Sequence, residues 1–336
     1  MRGPVSRVSW CQEEYGGSGA DFVYSVILTE ELARVGAAGL FAPLHSDIVA
    51  PYIYHLGNED QKQRYLPKCA TGETVLAVAM TEPNAGSDLG AMKARADRDG
   101  DHYVLNGTKV FISNGVSADL VVVAARTERG SKGAKGISLL LVEAGAPGFK
   151  RGAKYRKMGM HCQDTAELVF DDCRIPAANL LGEEGKGFSA LMNHLPQERI
   201  LAAVMAQAMA EAMLDLTLQY TADRKAFGQP VCAFQHNAFK IVEMSTEIKL
   251  GRAFLDQVIA KHAAGADVVT DASMAKAWIT EMANRVAYTC VQLHGGYGFM
   301  EEYRICRFYR DVRVLPLFAG TTEVMKLIVA KNMGLL

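Results

Sequence analysis

Leu195-Pro196-Gln197-Glu198-Arg199 interrupts one run of helical spacing, and Phe318-Ala319-Gly320-Thr321-Thr322-Glu323 opens the last such run, in a chain of 336 residues. Before the first stretch, Phe188, Leu191, Met192 and Leu195 share one helical face. Pro196 then removes a backbone donor and crowds the carbonyl of Met192, which predicts a kink. Glu198 follows, placed like a residue near a helix start, where a carboxylate ordinarily faces solvent and offsets the helix dipole. Residues 197–221 are rich in the strong helix formers Ala, Met and Leu, and further helical segments are predicted at about 233–264, 269–293 and 322–333. In the last of these, Thr321 or Thr322 is the expected N-cap and Glu323 suits the first turn, with no function required. Four helices joined by shorter connections read as a bundle.

Upstream the texture changes. Between roughly 74 and 180 the chain carries short β-rich runs, Val104–Leu105, Lys109–Ile112, Leu120–Ala124 and Ile137–Val142, with Asp99-Gly100-Asp101 and Asn106-Gly107 expected as separating turns. Before them, Tyr15-Gly16-Gly17-Ser18-Gly19 reads as a flexible loop. Residues 21–37 then have helical spacing through Phe22, Val26, Leu28, Leu32 and Val35, and helices are expected to continue to about 70. The expected fold class is therefore α+β and multidomain: an N-terminal α-helical domain over 1–73, a middle β domain over 74–184, and a C-terminal four-helix bundle over 185–336.

The apolar content of 49% supports more than one buried core at this length. With 36 Lys and Arg against 37 Asp and Glu, the net charge of -1 gives no electrostatic basis for binding nucleic acid or an anionic membrane. The seven cysteines are scattered, without CxxC or zinc-type pairing with His, so buried thiols and no metal site are expected. No apolar run approaches the ~18 residues of a membrane span, and the first ten residues lack a secretory h-region, so a soluble protein is expected. Arg2, Arg7 and two serines give only a faint hint of an organellar transit peptide.

Ala79-Met80-Thr81-Glu82-Pro83-Asn84-Ala85-Gly86-Ser87-Asp88-Leu89 would read, by composition, as a strand ending in a turn. Its wording, together with Lys109-Val110-Phe111-Ile112-Ser113-Asn114-Gly115, Arg224-Lys225-Ala226-Phe227-Gly228 and the two stretches first quoted, resembles the acyl-CoA dehydrogenase family from about residue 12 to the C-terminus. The resemblance implies FAD. Met80, Thr81, Phe111 and Ser113 are then expected at the flavin ring, where many relatives carry tryptophan and threonine at the last two places. Arg224 is expected on the pyrophosphate, where its planar fork suits phosphate oxygens, and Gln235 on the same cofactor. Gln292, Leu293, Gly295 and Gly296, otherwise a helix end with a Gly-Gly cap, would hold the adenosine side of an FAD bound mainly by a neighbouring subunit. The turn of Thr321, Thr322 and Glu323 would also touch the flavin, and Ser87, Gln197, Arg199, Ala319 and Gly320 the acyl-CoA.

Most members of that family carry the catalytic glutamate at the place of Ala319, which cannot accept a proton. A smaller branch, with the long-chain and isovaleryl enzymes, carries it on an earlier helix, and the long-chain type does so in the wording found at Glu198. The segment from Met158 to Leu168 resembles the same branch. The implied reaction is α,β-dehydrogenation of a fatty acyl-CoA to the trans-2-enoyl-CoA, with Glu198 as base and electrons leaving to an electron-transfer flavoprotein. A homotetramer built as a dimer of dimers, in bacterial cytoplasm or mitochondrial matrix, is the matching expectation. Two rivals stand beside it: a flavin oxidase or monooxygenase on the same fold, and a non-catalytic scaffold. The scaffold reading follows from relatives that begin with additional helices, which makes an incomplete N-terminal domain the expectation here.

Overall fold

A computed structural model describes residues 8–336, so the hint at Arg2 and Arg7 lies outside the described residues. The chain forms two compact units. One comprises the residues up to Asp21 with Phe41–Arg156 and Cys162–Leu195, and the other Phe22–Leu40, Lys157–His161 and Pro196–Leu336.

The first unit is organised by an eight-stranded sheet in the order β6-β7-β3-β2-β4-β5-β8, with β1 pairing β4. Its strands are β1 (Leu76–Ala79), β2 (Arg95–Asp99), β3 (His102–Ile112), β4 (Leu120–Arg126), β5 (Ile137–Glu143), β6 (Phe149–Arg151), β7 (Ala166–Pro176) and β8 (Leu180–Leu181). Leu120–Ala125 and Ile137–Val142 are buried throughout, so β4 and β5 are covered on both faces and read as continuous apolar runs with little alternation. Tyr103, Leu105, Leu140, Leu168 and Phe170 pack into one core with them. The same unit also contains the α-helices α2 (Ala50–Leu56) and α3 (Glu59–Thr71). Asn58 and Gln61 form a reciprocal capping box at the start of α3, and the Gln61 amide also donates to the carbonyls of Ala178 and Leu180, tying the helix start to the entry of β8.

Two of the expected turns behave differently. Gly100-Asp101 closes the tight β2–β3 hairpin, with Asp99 opposite His102. Asn106-Gly107 does not separate two strands. Val104–Leu105 and Lys109–Ile112 belong to the single strand β3, and Asn106-Gly107 is a bulge in its pairing with β7. Gly107 sits at φ +148, and a Cβ there would lie 2.7 Å from the Cβ of Ala94. The Asn106 side chain supplies the missing ladder contacts, donating to Asp172 Oδ1 at 3.0 Å and accepting from Asp172 N at 2.8 Å.

The second unit contains α1 (Phe22–Arg34), the greater part of α4 (Gly187–Asp223), then α5 (Gln235–Ala263), α6 (Val269–His294), α7 (Arg304–Val312) and α8 (Thr322–Asn332). Pro196 does not end a helix: the stretches on either side of it are one helix, and Glu198 lies about three turns inside it, not near a start. Arg199–Ala210 are buried without a break. Contrary to the expectation from single runs, this helix is long and apolar enough by length and composition to cross a membrane, an 18-residue stretch of it having a mean hydropathy of 1.4, but 83% of that stretch is buried inside the protein. The bundle also gains α7, which was not anticipated because arginines crowd its sequence. Ile305, Phe308 and Val312 nevertheless hold the buried i, i+3, i+7 face. Helix α1 is fastened by ions: Arg252 of α5 pairs with Glu30, and with Glu211 of α4 at 2.9 Å.

All seven cysteines are free. Cys11, Cys69, Cys173 and Cys290 are buried as expected, whereas Cys162 is exposed and Cys232 and Cys306 are partly so. Among the described residues no cluster of His, Cys, Asp and Glu is arranged to hold a metal.

Gly107 and Gly100 offer a matched test of the bulge. Both have positive φ, but Gly100 has open space where Gly107 meets Ala94. Gly107→Ala is expected to lower stability by about 2 kcal/mol or more, and Gly100→Ala by about 1 kcal/mol, read from denaturant midpoints.

Candidate active site

In the first unit, β1 runs into the Met80–Ser87 loop, and one buried ion pair fixes its path. Lys109 projects from β3 into the core, where its ammonium donates to Glu82 Oε1 at 2.8 Å and to the Met80 carbonyl at 2.9 Å. Glu82 accepts further bonds from the backbone N–H groups of Lys93 at 2.6 Å and Ala94 at 2.9 Å. Val110 N–H donates to the Thr81 carbonyl at 2.9 Å, so Met80 and Thr81 are held from the side chain and backbone of neighbouring β3 residues. Burial lowers the Lys109 pKa and Glu82 works against that shift. Neither residue was singled out from the sequence. The available signal was a lysine inside a β-rich run, which must find oxygens if its side chain points inward.

Phe111 and Ser113 lie at the end of β3. Phe111 has φ +58 and is 69% exposed, an unusual backbone for a large aromatic residue. Its pairing with β7 slips between Lys109 and Ile112, and Asn114, itself at φ +59, is locked by donating to the Leu76 carbonyl and accepting from Gln163 Nε2. The surroundings thus hold Phe111 in a conformation that leaves its ring exposed. Asn114-Gly115 lies between β3 and β4, which do not pair with each other but are separated in the sheet by β2. Ser87 is exposed on the loop beyond Glu82.

In the second unit, Glu198 keeps some exposure as a residue, yet its Oε2 is sealed and has no hydrogen-bond partner. Burial pushes its pKa up to about 7, against the pull of the positive charges on Arg199 and Lys276. Arg199 is buried and reaches Ser273 Oγ at 3.4 Å, and Gln197 Oε1 meets His262 Nε2 at 3.0 Å. Ala319 has φ +54 and Gly320 φ +89 in the turn before α8. Among the described residues no hydrogen bond uses the Ala319 N–H. Lys276 of α6, which the sequence did not bring forward, donates to the carbonyl of Gly320 at 2.6 Å and so touches this turn directly. Thr321 is the N-cap, accepting from Val324 N–H at 3.3 Å, and Thr322 donates to Glu281 Oε1 at 2.8 Å. Glu323 is exposed in the first turn, and backbone N–H donation lowers its pKa.

The same unit has a cavity of about 940 Å³ that gathers Arg224, Gln292, Leu293, Gly295 and Gly296. Arg224 stands between the end of α4 and a short strand. Lys225–Ala226 and Gln229–Pro230 form a small hairpin, and Phe227-Gly228 is its positive-φ turn. The guanidinium stands 5.7 Å from the ring centre of Tyr297, and Lys240 brings a second cation to the wall. Gly295 caps α6 at φ +60 with open space beyond it. His294 is buried, bonded to the Cys290 carbonyl and stacked on Tyr220, which gives it a packing role. Gln235 starts α5 outside this lining, although His236 and Asn237 belong to it. Cations, tyrosine rings and an open glycine turn fit the phosphates and flat base of a dinucleotide.

Three family models match the chain in order: acyl-CoA dehydrogenase, N-terminal domain, over residues 9–73; middle domain over 77–173; and C-terminal domain over 185–334. The chain belongs to the acyl-CoA dehydrogenase family. It is 47% identical over 321 residues to the mitochondrial long-chain specific acyl-CoA dehydrogenase of Sus scrofa, covering 95% of this chain and 75% of that protein. The crystal structure of an acyl-CoA dehydrogenase from Geobacillus kaustophilus is similar with a TM-score of 0.96 and 55% identity, over 97% of this chain and 86% of that one. Butyryl-CoA dehydrogenase from Megasphaera elsdenii gives a TM-score of 0.93 and 37% identity, over 98% and 87%. Membership carries the expected order of helical, β and helical regions, and it implies an oxidoreductase with a flavin cofactor.

The buried pair predicts a strong asymmetry. Lys109→Met leaves Glu82 as an uncompensated buried charge and is expected to cost about 3–5 kcal/mol, whereas adding Glu82→Gln recovers part of that loss. A double-mutant cycle by chemical denaturation reads the coupling.

Proposed function

We propose that this protein is an FAD-dependent acyl-CoA dehydrogenase in which Glu198 removes the α-proton of an acyl-CoA. The observation that carries this assignment is the sealed, unpartnered carboxylate oxygen of Glu198, with a pKa raised to about 7, in a chain whose alternative position is Ala319. A carboxylate with an ordinary pKa near ~4.3 is a weak base toward a carbon acid. Desolvation raises its basicity, and Arg199 and Lys276 keep the ionised form accessible near neutral pH.

The electrons of the broken α-C–H bond move toward the thioester carbonyl, so negative charge develops on its oxygen. The free N–H of Ala319 is the donor proposed to meet it, a preorganised contact that strengthens as the charge appears. A flavin held by the residues named below would supply the acceptor for the β-hydride, and loss of that hydride as the α-carbanion electrons form the Cα=Cβ bond gives the trans-2-enoyl-CoA. Gln197, Arg199 and Gly320 are proposed beside the acyl-CoA, and Ser87 toward its CoA portion. For the cofactor, Met80, Thr81, Phe111, Ser113, Thr321, Thr322 and Glu323 are proposed at the flavin, Arg224 and Gln235 on the phosphates, and Gln292, Leu293, Gly295 and Gly296 at the adenosine side. An electron-transfer flavoprotein as acceptor, a homotetramer, residence in bacterial cytoplasm or mitochondrial matrix, and domains over 1–73, 74–184 and 185–336 complete the proposal.

Glu198→Gln is expected to retain flavin and to slow anaerobic bleaching of the flavin band by acyl-CoA by about 1,000-fold or more. Reduction within a few-fold of wild type would show that another group is the base. Because only ionised Glu198 can accept the proton, wild-type kcat/KM should rise with pH through a midpoint of about 7 and fall away below it. A panel of short, long and branched acyl-CoAs in the same bleaching assay names the preferred chain. Arg224→Ala should lower the flavin content of purified protein by removing the planar cation, and unchanged content after dialysis would remove its assigned role.

A further inference from the structure

Lys276 sits within α6 and is completely buried. Its ammonium donates to the Pro316 carbonyl at 3.0 Å and to the Gly320 carbonyl at 2.6 Å. These two oxygens bracket Leu317-Phe318-Ala319, and the Pro316 carbonyl also accepts from Thr322 N–H at 3.1 Å. Between them Ala319 is held at φ +54, a region that residues with a Cβ rarely occupy. Among the described residues Lys276 forms no ion pair, so carbonyl dipoles receive its direct hydrogen bonds and more distant charges surround it.

Those charges come from three helices: Arg199 and Glu198 from α4, Glu281 from α6 itself and Glu323 from α8. Glu281 is engaged by the Thr322 hydroxyl. Burial and Arg199 draw the Lys276 pKa down to about 8, against the three carboxylates, so the group still carries most of its charge near neutral pH.

We propose that Lys276 is a positioning residue for α-proton abstraction: it clamps the Pro316–Gly320 turn so that the Ala319 N–H is presented to the substrate, and its charge keeps Glu198 ionised. The proposal rests on the reading of Glu198 as base and Ala319 as donor. It assigns one cation to both halves of the step, the acceptance of the proton and the stabilisation of the charge left behind. A lysine serving only as core packing would do neither.

The test uses flavin-loaded enzyme and an acyl-CoA analogue with sulfur in place of the β-carbon, which can lose its α-proton but has no β-hydride to give. Exchange of the analogue's α-hydrogens into D₂O, followed by mass spectrometry across pH, reads proton abstraction apart from turnover. Analogue affinity comes from calorimetry. Lys276→Met is expected to slow exchange by about 10- to 100-fold and to move its pH midpoint upward by about half a unit to one unit, with affinity and flavin content within about three-fold of wild type. Lys276→Arg, which keeps the charge, should hold the midpoint of wild type. An unchanged midpoint and rate in Lys276→Met overturn the proposal, as does a loss of affinity or flavin without a shift in midpoint, which marks a merely structural lysine. If Lys276→Met fails to fold, Lys276→Gln removes the charge but keeps an N–H donor, and an unshifted midpoint there is equally fatal. Glu198→Gln is the control. Exchange that persists at wild-type rate in that variant sinks the base assignment and the proposal with it, whereas a silent control beside an unshifted Lys276→Met sinks the proposal alone.

Discussion

A buried ammonium must be surrounded by oxygen, and two loops of this protein take their shape from that requirement. Lys109 turns inward from β3 and satisfies itself on Glu82 and the Met80 carbonyl. Lys276 turns inward from α6 and satisfies itself on Pro316 and Gly320. In each case loop residues proposed to face ligands are held by an ion on an adjacent regular element, at a place where water cannot substitute for the missing partner. Each clamp takes at least one backbone carbonyl of its loop, and Lys109 also takes the Glu82 carboxylate.

Some of the backbone strain lies in the segments proposed to meet ligands, and some, at Phe41, Met160 and Asp172, lies outside them. Phe111, Phe227 and Ala319 all occupy positive φ, and each belongs to a segment with a proposed ligand-binding role. A large or β-substituted residue stays in that region only where neighbours over-determine its conformation. The Asn114 locks do so beside Phe111, and the Lys276 bracket does so around Ala319. Glu198 shows the electrostatic counterpart of such strain, a carboxylate whose burial is only partly offset by Arg199 and Lys276. The resulting pKa lies near the pH at which a proton acceptor in water must work.

Much of the architecture was legible because periodicity reports burial directly. The Ala, Met and Leu content of α4, the continuous apolar runs of β4 and β5, and the Thr321 cap all follow from local rules. Asn106-Gly107 was misread because a hairpin turn and a bulge call for the same residues, and only pairing with β7 distinguishes them. Pro196 suggested an interruption because sequence rules price the lost hydrogen bond but not the packing of the helix on both sides of it. Helix α7 was overlooked because its arginines hide a narrow buried stripe.

The motifs around Glu198 and Ala319 determined from sequence alone which family this chain joins and which residue stands as the candidate base, since both depend on residue identity at fixed places. Tertiary structure decided what surrounds that base. Desolvation of the Glu198 carboxylate, the inward course of Lys109 and Lys276, and the positive φ of Ala319 arise from residues far apart in the chain meeting in a dry interior. No local pattern encodes such a meeting, because the energy of a buried charge depends on the three-dimensional placement of the dipoles and charges around it.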